Sequence, residues 1–447
     1  MSSNAQSFPP RSEVQSRITA PIPGAITMAC LAMMLLGAIV FAIGLFSDPE
    51  RAWRSLHFNW LFFTVASSAA VVFVAILRLA TARWSRPVTR FLEGYVAFMP
   101  IAFVLLLLIL AFGSNYVFTW THEDPPFASK AAYLAPAFFY TRVILTYGII
   151  CLLSLWYVWT TLKIDVGVTS EEQLPHANGG WAAGIRARMR DSFGTDERRA
   201  LHDVHSIQGK IAVALCIAFG LGWVVLSWDL SMTLSLHFQS TMYGWQFFMG
   251  GWLVMFMTWG MLTMWWQSHL QVNDLVTKVH FHDIGKLAFA FTAFWGYVTF
   301  SQYLVIWFGN WFEETHYFRL RLMPPYTWLT VSVFVMAFIV PFFGLMGKAA
   351  KLHKPTFTVI AIICTVGIWL HRYLEVYPST FGVVTALPFG IWEIGVTIGM
   401  LGLWGFSYVK FMDAFPRMRV ALMTSPYRDE MQVPVDPRTM EPLPAHE

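Results

Sequence analysis

The sequence predicts an all-α integral membrane protein that crosses the bilayer with about ten helices. Its 447 residues are 56% hydrophobic and only 13% charged, which is about half the charged fraction of a typical soluble domain. The apolar residues are gathered into runs of the ~20 residues that an α-helix needs to cross ~30 Å of hydrocarbon. Basic residues are concentrated in alternate connections between these runs, as in multi-pass membrane proteins.

Ten apolar runs follow one another along the chain, and each predicts one spanning helix. They cover 24–46, 58–80, 95–113, 136–161, 208–229, 243–266, 285–309, 325–347, 356–376 and 387–410. The chain therefore divides into an N-terminal segment 1–23, a transmembrane domain 24–411 and a C-terminal tail 412–447. The first 20 residues are polar, and no short apolar core with a small-residue cleavage site follows them. We expect no cleaved signal peptide and a retained first span.

The seventh run carries many polar side chains within its apolar stretch. They are Thr292, Tyr297, Thr299, Ser301 and Gln302. Polar groups at this depth need partners other than lipid, so we expect this helix to lie inside the bundle.

The distribution of basic residues predicts the orientation in the membrane. The connections after the even-numbered runs hold most of the Arg and Lys residues, whereas acidic residues dilute the few basic ones after the odd-numbered runs. By the positive-inside rule, both termini and the even-numbered connections are cytoplasmic. The longest of these connections, 162–207, is either an amphipathic surface segment or a flexible connector. The tail after Phe415 is rich in proline, which predicts an extended or disordered arm.

Composition argues against metal and nucleic-acid binding by this chain. The net charge of +4 is small and spread over many connections, so it gives no reason to expect nucleic acid. No CxxC or Cys/His cluster occurs, and the four cysteines are isolated in apolar runs, at Cys30, Cys151, Cys216 and Cys364. This disfavours an iron–sulfur cluster, a c-type haem or structural zinc. A b-type haem needs facing histidines, and His371 is the only one that we place at mid-membrane.

A weak internal repeat links the third and seventh runs. FGSNYVFTWTHED (112–124) follows the third run, and FGNWFEETHYF (308–318) follows the seventh. An offset of four helices keeps the same orientation in the membrane, so the repeat is parallel rather than inverted. It predicts two four-helix bundles, helices 2–5 and 6–9, with helices 1 and 10 outside them.

Several segments together resemble one family of membrane subunits. They are KAAYLAPAFFYTR (130–142), LSWDLSMTL ending in STMYG (226–244), HFHDIGKLAFAFTAFWGYVTFSQYLVIWFGNWFEET (280–315), HRYLEVYPS (371–379) and LPFGIWEIGVTIGMLGLWG (387–405). The chain resembles the NrfD-like membrane subunits of the polysulfide-reductase group, in particular the F-type quinone-associated subunits of bacterial alternative complex III. It departs from the family's acidic-proline-aromatic stretch, where it has Ser235-Leu236-His237-Phe238.

The resemblance implies a place in a multi-subunit respiratory complex of the bacterial cytoplasmic (inner) membrane. Such a complex oxidises quinol and passes electrons to periplasmic haem proteins or a terminal oxidase. The expected partners are a multihaem cytochrome, an iron–sulfur protein, a sister NrfD-like subunit and a terminal oxidase, besides membrane lipid. Haems and iron–sulfur clusters are expected in those partners only. This chain is expected to hold no covalent cofactor, with quinol or menaquinol as a candidate ligand.

The candidate functional residues gather near the outer ends of the helices, and none is assigned a catalytic role. They are Arg142, Asp229, His371, Arg372, Glu375, Glu393 and the phenol Tyr303. His371 and Arg372 lie four and three residues before Glu375, so both can meet it on one helix face. A short connection places Glu393 within reach of Arg372. The set is either a self-neutralising ion-pair group that fixes packing, or a proton route or quinone-headgroup contact.

A second candidate group, His280, His282, Asp283 and Lys286, precedes the seventh run. Its HxHD pattern resembles a metal site, but residues 280 and 282 point about 200° apart on a helix, so we expect no metal. Two interpretations stay open, namely a solvated helix start and a proton-uptake point on the cytoplasmic side.

Two other functions compete with the respiratory subunit. One is a stand-alone secondary transporter, a class that often shows inverted repeats and broken helices; here Pro341 interrupts one run, but the repeat is parallel. The other is a structural scaffold with an inert polar interior and no proton path.

Overall fold

Ten long, apolar helices dominate the computed structural model, which describes residues 10–122, 128–174 and 180–428. The predicted all-α class and the number of candidate spans are confirmed, and no β-strand occurs within those ranges. The helices are α1 (Gly24–Ser47), α2 (Pro49–Leu79), α3 (Arg90–Val117), α4 (Pro136–Val168), α5 (Glu197–Leu234), α6 (Met242–Leu270), α7 (Lys278–Gly309), α8 (Thr327–Gly344), α9 (Lys354–Phe381) and α10 (Ile391–Ala414). We call the end of the bundle where the odd-numbered helices finish the outer end, and the opposite one the inner end.

Most helices extend beyond their apolar runs because capping residues, rather than hydropathy, set where a helix begins. Asp48 precedes α2 and accepts the backbone N–H of Arg51 at 3.2 Å. Asp196 precedes α5 in the same way and accepts the backbone N–H of Arg199 at 3.1 Å. A side-chain oxygen at this position satisfies one of the free N–H groups of the first turn. As a result, α5 begins at Glu197, well ahead of the apolar run at 208.

Helices α2 and α6 form the centre of the bundle. Of the most apolar 18-residue window, 94% is buried in α2 and 83% in α6, but only 33% in α7. The prediction that the seventh helix is an inner one is therefore wrong. Thr292, Thr299 and Gln302 lie on one face, with Thr292 and Gln302 buried, while Tyr297 on another face is 63% exposed. One polar face is enough to satisfy such groups, and the rest of the helix can face lipid.

The contacts between helices follow from these central positions. Helix α2 packs against α5, α6, α9 and α10, and α6 packs against α5, α7 and α9. The most extensive pairing joins α1 to α10. There the backbones approach closely, and a Cβ atom on Gly37 would lie 2.2 Å from the Cα atom of Gly399. Small residues permit this kind of approach between membrane helices.

The long inner connection contains a docked helix, Ala183–Phe193. Arg186 and Arg190 contact the Glu171 carboxylate at 2.7 and 2.9 Å. Burial alone would raise the pKa of Glu171, but hydrogen bonds and charge from the two arginines outweigh it and lower that pKa. Of the two interpretations of 162–207, the structure favours the ordered segment for its described residues.

The chain after α10 folds back on the inner end as far as Arg428. Val420–Thr424 is helical, and Arg417 and Met418 are fully buried. The prediction of an extended or disordered arm is therefore wrong for 416–428, because Ala421 packs against Ile164 of α4 and its backbone N–H donates to Asp165. The rest of that predicted arm, 429–447, lies outside the described residues, as does 1–9 of the N-terminal segment.

Candidate functional site

A cavity of ≈350 Å³ lies near the outer end of the bundle, between α7, α8 and α9. This volume is within the ~300–1,000 Å³ of small-molecule sites. Three residues that the sequence singled out, Tyr303, His371 and Glu375, line it. Most of the other lining side chains are apolar or aromatic. The cavity therefore suits an apolar ligand that carries a small polar group.

His371 and Glu375 lie one turn apart on α9 and meet at the cavity wall. His371 Nδ1 is 3.2 Å from Glu375 Oε1, although the two groups are not aligned as a hydrogen bond. The other ring nitrogen, Nε2, lies 3.2 Å from the side-chain amide nitrogen of Gln246 on α6. That amide also donates to Thr299 Oγ1 at 3.3 Å. With Gln246 as donor, a neutral His371 carries its proton on Nδ1, the nitrogen beside Glu375.

Arg372 holds Glu375 from the side away from the cavity. Its Nη1 donates to both carboxylate oxygens, at 2.7 and 2.6 Å, which confirms the pairing expected from their spacing. Its Nη2 donates to the backbone carbonyl of Phe247, and its guanidinium carbon lies 3.6 Å from the centre of that ring. A Cβ atom on Gly250 would lie 2.7 Å from Nη2. A glycine on α6 thus gives the guanidinium its space.

Arg321 completes the polar side of the cavity, although the sequence placed it in an outer connection. It lies on the helix Phe312–Leu322 and is only 6% exposed. Its Nη2 donates to Ser379 Oγ at 2.7 Å and to the backbone carbonyl of Glu375 at 3.2 Å. Burial lowers the pKa of the Arg321 guanidinium and raises that of the adjacent Tyr317 phenol. Two guanidinium groups and one carboxylate leave this site with a formal charge of +1 when His371 is neutral.

Glu393 belongs to a different group from the one that the sequence predicted. Its carboxylate accepts Arg51 Nε at 3.0 Å and Nη2 at 2.7 Å. It also accepts the Tyr377 hydroxyl and the backbone N–H of Gly390, both at 2.7 Å. The predicted contact with Arg372 is wrong, because Arg51 at the start of α2 reaches Glu393 first and fills its acceptor positions. Glu393 does not line the cavity.

Arg142 and Asp229 form an ion pair with each other, and neither residue lines the cavity. Arg142 on α4 donates to both oxygens of Asp229 on α5, at 2.8 and 2.7 Å. Tyr133 donates to Asp229 Oδ1 at 2.8 Å, and its ring lies under the Arg142 guanidinium at 3.8 Å. Burial, together with the Asp229 charge, raises the pKa of Tyr133. This is a closed ion pair at the outer end, which ties α4 to α5.

The inner candidates lie far from the cavity. Asp283 pairs with Lys286 at 2.6 Å, with half of the lysine side chain exposed. His280 accepts the backbone N–H of Thr277 at 3.0 Å and so caps the start of α7. Between Asp283 and Thr299 the helix rises ~24 Å, at ~1.5 Å per residue. The structure therefore does not bring His282, Asp283 and Lys286 together with the outer group.

Sequence reasoning missed two buried features. The first is an ionic network at the inner end, in which Arg90 contacts both Glu93 and Asp165, and Arg419 lies 3.7 Å from Glu93. All four side chains are at least 94% buried. Both Arg90 and Glu93 lie in the connection between the second and third apolar runs, and their three-residue spacing was the available signal.

The second missed feature is His57, which the sequence placed just outside the second run. It is fully buried in α2, and its Nε2 lies 2.7 Å from the backbone oxygen of Leu230. Within the described ranges, no group of three or more His, Cys, Asp or Glu side chains is arranged to hold a metal ion.

Neither models of known protein families nor curated proteins match this chain.

Proposed function

We propose that this chain is a membrane subunit of a quinol-oxidising respiratory complex of the alternative complex III type, located in the bacterial cytoplasmic membrane. The observation that carries the proposal is the outer cavity, with His371 and Glu375 on its wall. The resemblance of the outer segments to NrfD-like subunits adds the respiratory context. On this proposal the chain anchors the complex and handles protons or quinone, while its partner subunits carry the redox centres.

The cavity matches the chemistry of a quinol headgroup. A quinol is an apolar ring with two hydroxyl groups, and its oxidation releases two protons and two electrons. The aromatic walls, with Trp295, Phe300 and Phe334, suit the ring. Glu375 can accept a hydroxyl proton, and His371 can accept one at Nε2 once the Gln246 amide no longer donates to that nitrogen. The imidazolium so formed is stabilised by the adjacent carboxylate. The electrons leave to redox centres in other subunits.

The excess positive charge favours the deprotonated ligand. Arg321 and Arg372 both lie within contact distance of Glu375. In a site of low dielectric, a guanidinium stabilises a nearby anion more strongly than in water. The site therefore stabilises a quinolate anion more strongly than an apolar pocket alone would.

A route for proton release leads toward the outer surface. Gln302 lines both the cavity and a second pocket of ≈620 Å³ at the outer end. This second pocket is lined by Lys130, Glu314 and several Ser and Thr residues. Polar walls of this kind can hold water. Protons from the quinol thus leave on the outer side, with the inner end and both termini in the cytoplasm, as the basic connections indicate.

The helix contacts support the predicted repeat architecture. Helices α2, α3, α4 and α5 contact one another in one group, and α6, α7, α8 and α9 do so in a second. The two groups meet where α2 contacts α6 and α9 and where α5 contacts α6. Helix α10 packs between α1 and α2. We therefore propose two four-helix bundles, with α1 and α10 forming an extra pair outside them.

His371→Asn tests the proton-accepting role, with His57→Asn as a matched control. His57 is fully buried and the His371 side chain is only 14% exposed, but His57 lies away from the cavity lining. Proton transfer by a positioned group typically contributes about 10²–10⁴-fold to a rate. Quinol turnover by the purified complex should fall at least about 100-fold in His371→Asn, and His57→Asn should keep most of it. Full turnover in His371→Asn would leave the scaffold function as the better account.

The composition of the native complex tests the respiratory assignment separately. Purified from its own membranes in mild detergent, the chain should arrive with multihaem and iron–sulfur chains. Expressed alone, it should show no haem absorbance and no stoichiometric iron. If the chain instead purifies as a homo-oligomer without multihaem or iron–sulfur chains and moves a solute into liposomes, the protein is a secondary transporter.

A further inference from the structure

A further apolar cavity, of ≈430 Å³, lies between α9 and α10, with side chains of α2 as its floor. It shares no lining residue with the cavity that carries His371. Helices α9 and α10 are consecutive in the chain, yet each packs more closely against α2 than against the other. The gap between them is therefore a cleft in the wall of the bundle, which we call the α9–α10 cleft.

The α9–α10 cleft opens toward lipid at about the middle of the spans. On the α10 wall, Ile394 and Leu401 are 47% and 46% exposed, whereas Ala66 on the floor is buried. Val366 on the α9 wall is also exposed and lies close to the midpoint of that helix. At this depth a spanning helix is surrounded by hydrocarbon rather than by water or headgroups. Whatever enters the cleft therefore comes from the hydrocarbon layer.

One asparagine of α2 holds both walls of the cleft. Asn59 Oδ1 accepts the indole N–H of Trp369 on α9 at 3.0 Å. The same oxygen accepts the hydroxyl of Thr397 on α10 at 2.9 Å. These two lining residues therefore spend their donors on the protein, and the walls are fixed in place without touching each other.

The other polar groups of the lining are bonded to the protein as well, with one exception. The Trp404 N–H donates to Ser67 Oγ at 3.2 Å, and the Tyr95 hydroxyl donates to Thr258 Oγ1 at 2.7 Å. Among the lining residues, Thr365 has a buried hydroxyl without a hydrogen-bond partner. A polar headgroup would find few partners here, and burying it unpaired is costly. The chemistry of the lining thus selects pure hydrocarbon.

The dimensions of the cleft fit a single hydrocarbon chain. From Ile394 to Trp404 the α10 wall rises ~15 Å, at ~1.5 Å per residue. An apolar cavity of ~150 Å³ accommodates benzene, so the ≈430 Å³ of the cleft has room for roughly 17 carbon atoms at the same density. A helix of ~10 Å diameter would need roughly 1,200 Å³ over the same length. The cleft is therefore too narrow for a spanning helix of a partner subunit.

We propose that the α9–α10 cleft holds one hydrocarbon chain, supplied by the acyl chain of a phospholipid or by the isoprenoid tail of a quinone. Burial from lipid yields no hydrophobic gain, so the chain is retained by dispersion contacts that the walls of an empty cleft would lack. The rings of Phe62, Phe63 and Phe389 supply much of that contact surface. The proposal does not depend on the proposed function, because neither His371 nor a redox partner enters it.

Photochemical labelling of the full chain in mild detergent tests the proposal. One probe is a phospholipid with a diazirine midway along a 16-carbon acyl chain, and the other is a quinone with a diazirine in its isoprenoid tail. Label should concentrate on the cleft peptides of α9 and α10, and an excess of the unlabelled compound should displace it. The probe that labels identifies the source of the chain, and labelling by both shows that either source serves.

Two outcomes overturn the proposal. One is label spread evenly over all lipid-facing helices and not displaced by competitor, which is the behaviour of bulk lipid. The other is absence of label from the cleft with both probes, as expected if side chains of a partner fill it.

Matched tryptophan substitutions make the test specific. Ile398→Trp places a large ring in the cleft from the α10 wall, and the label on the α9 peptide should be lost. Ile217→Trp makes the same change at a lipid-facing position of α5 that is 57% exposed, and the label should stay. Unfolding midpoints check that both variants fold, and Leu401→Trp on the open rim replaces Ile398→Trp if that variant does not. Undiminished label on α9 in the cleft variant refutes the proposal.

Discussion

Replacing Glu375 by glutamine tests how the cavity group is held together. Glu375 and Arg372 form an ion pair with side-chain exposures of 2% and 0%. The substitution keeps the size of the side chain and its hydrogen-bonding reach but removes its charge. Glu393→Gln is the natural comparison, because Glu393 is equally buried while Arg51, its partner, is 22% exposed.

The two substitutions should lower the free energy of unfolding by different amounts, because the arginines that they leave unpaired differ in their access to water. Breaking a fully buried pair costs about 3–5 kcal/mol, since it leaves an uncompensated charge in a low dielectric. Arg372 has no route to solvent, so Glu375→Gln should approach that cost. Arg51 can recover part of its hydration, so Glu393→Gln should cost nearer the ~1.5–3 kcal/mol of hydrogen bonds to a charged group.

Double-mutant cycles in the full chain measure both costs. Unfolding in detergent can be followed by the fluorescence of the 21 tryptophans. Removing the abandoned cation should restore stability pair by pair: Arg372→Gln should rescue Glu375→Gln, and Arg51→Gln should rescue Glu393→Gln. Cross-combinations should give no rescue. If Arg372→Gln rescued Glu393→Gln instead, the assignment of partners derived from the structure would be wrong.

Three further predictions follow from the same geometry. Gly250→Ala should displace the neighbouring guanidinium of α9 and lower the unfolding midpoint, whereas Gly220→Ala, with no atom within 4 Å of the new Cβ, should not. Reporter fusions after Ala182 should be active only as cytoplasmic reporters and those near Glu314 only as exported ones; an exported signal at the first site would refute the orientation. The two arginines hold the folded-state pKa of Glu171 below its ordinary value, so its contribution to stability is present above the unfolded-state pKa and is lost as the pH falls through the folded one. Hydrogen exchange of the backbone amides in the helix Ala183–Phe193, which Glu171 anchors, should therefore become faster in acid after correction for the intrinsic exchange rate. A corrected rate that does not change with pH would contradict this.

The sequence predicted which residues carry the chemistry of the site better than it predicted their interaction partners. His371, Glu375 and Tyr303 were all singled out and share one cavity. The pairing of Arg372 with Glu375 followed from spacing on one helix, which is local geometry. The expected partner of Glu393 was wrong, because the choice between Arg372 and Arg51 depends on how α2 packs beside α10. Arg321 was overlooked for the same reason.

By itself, the sequence determined the helical class, the ten candidate spans and the residues able to carry charge within them. These depend on hydropathy and on the 3.6-residue repeat, which a chain displays without its neighbours. Only the tertiary structure decided that α2 and α6 are central, that Arg321 reaches the Glu375 carbonyl of α9, and that arginines of the inner end share a pocket with Gln208. Each of these depends on which helix faces are adjacent. Many packings can bury the same apolar runs, because burial of apolar surface is non-directional, and only close packing of particular side chains selects one.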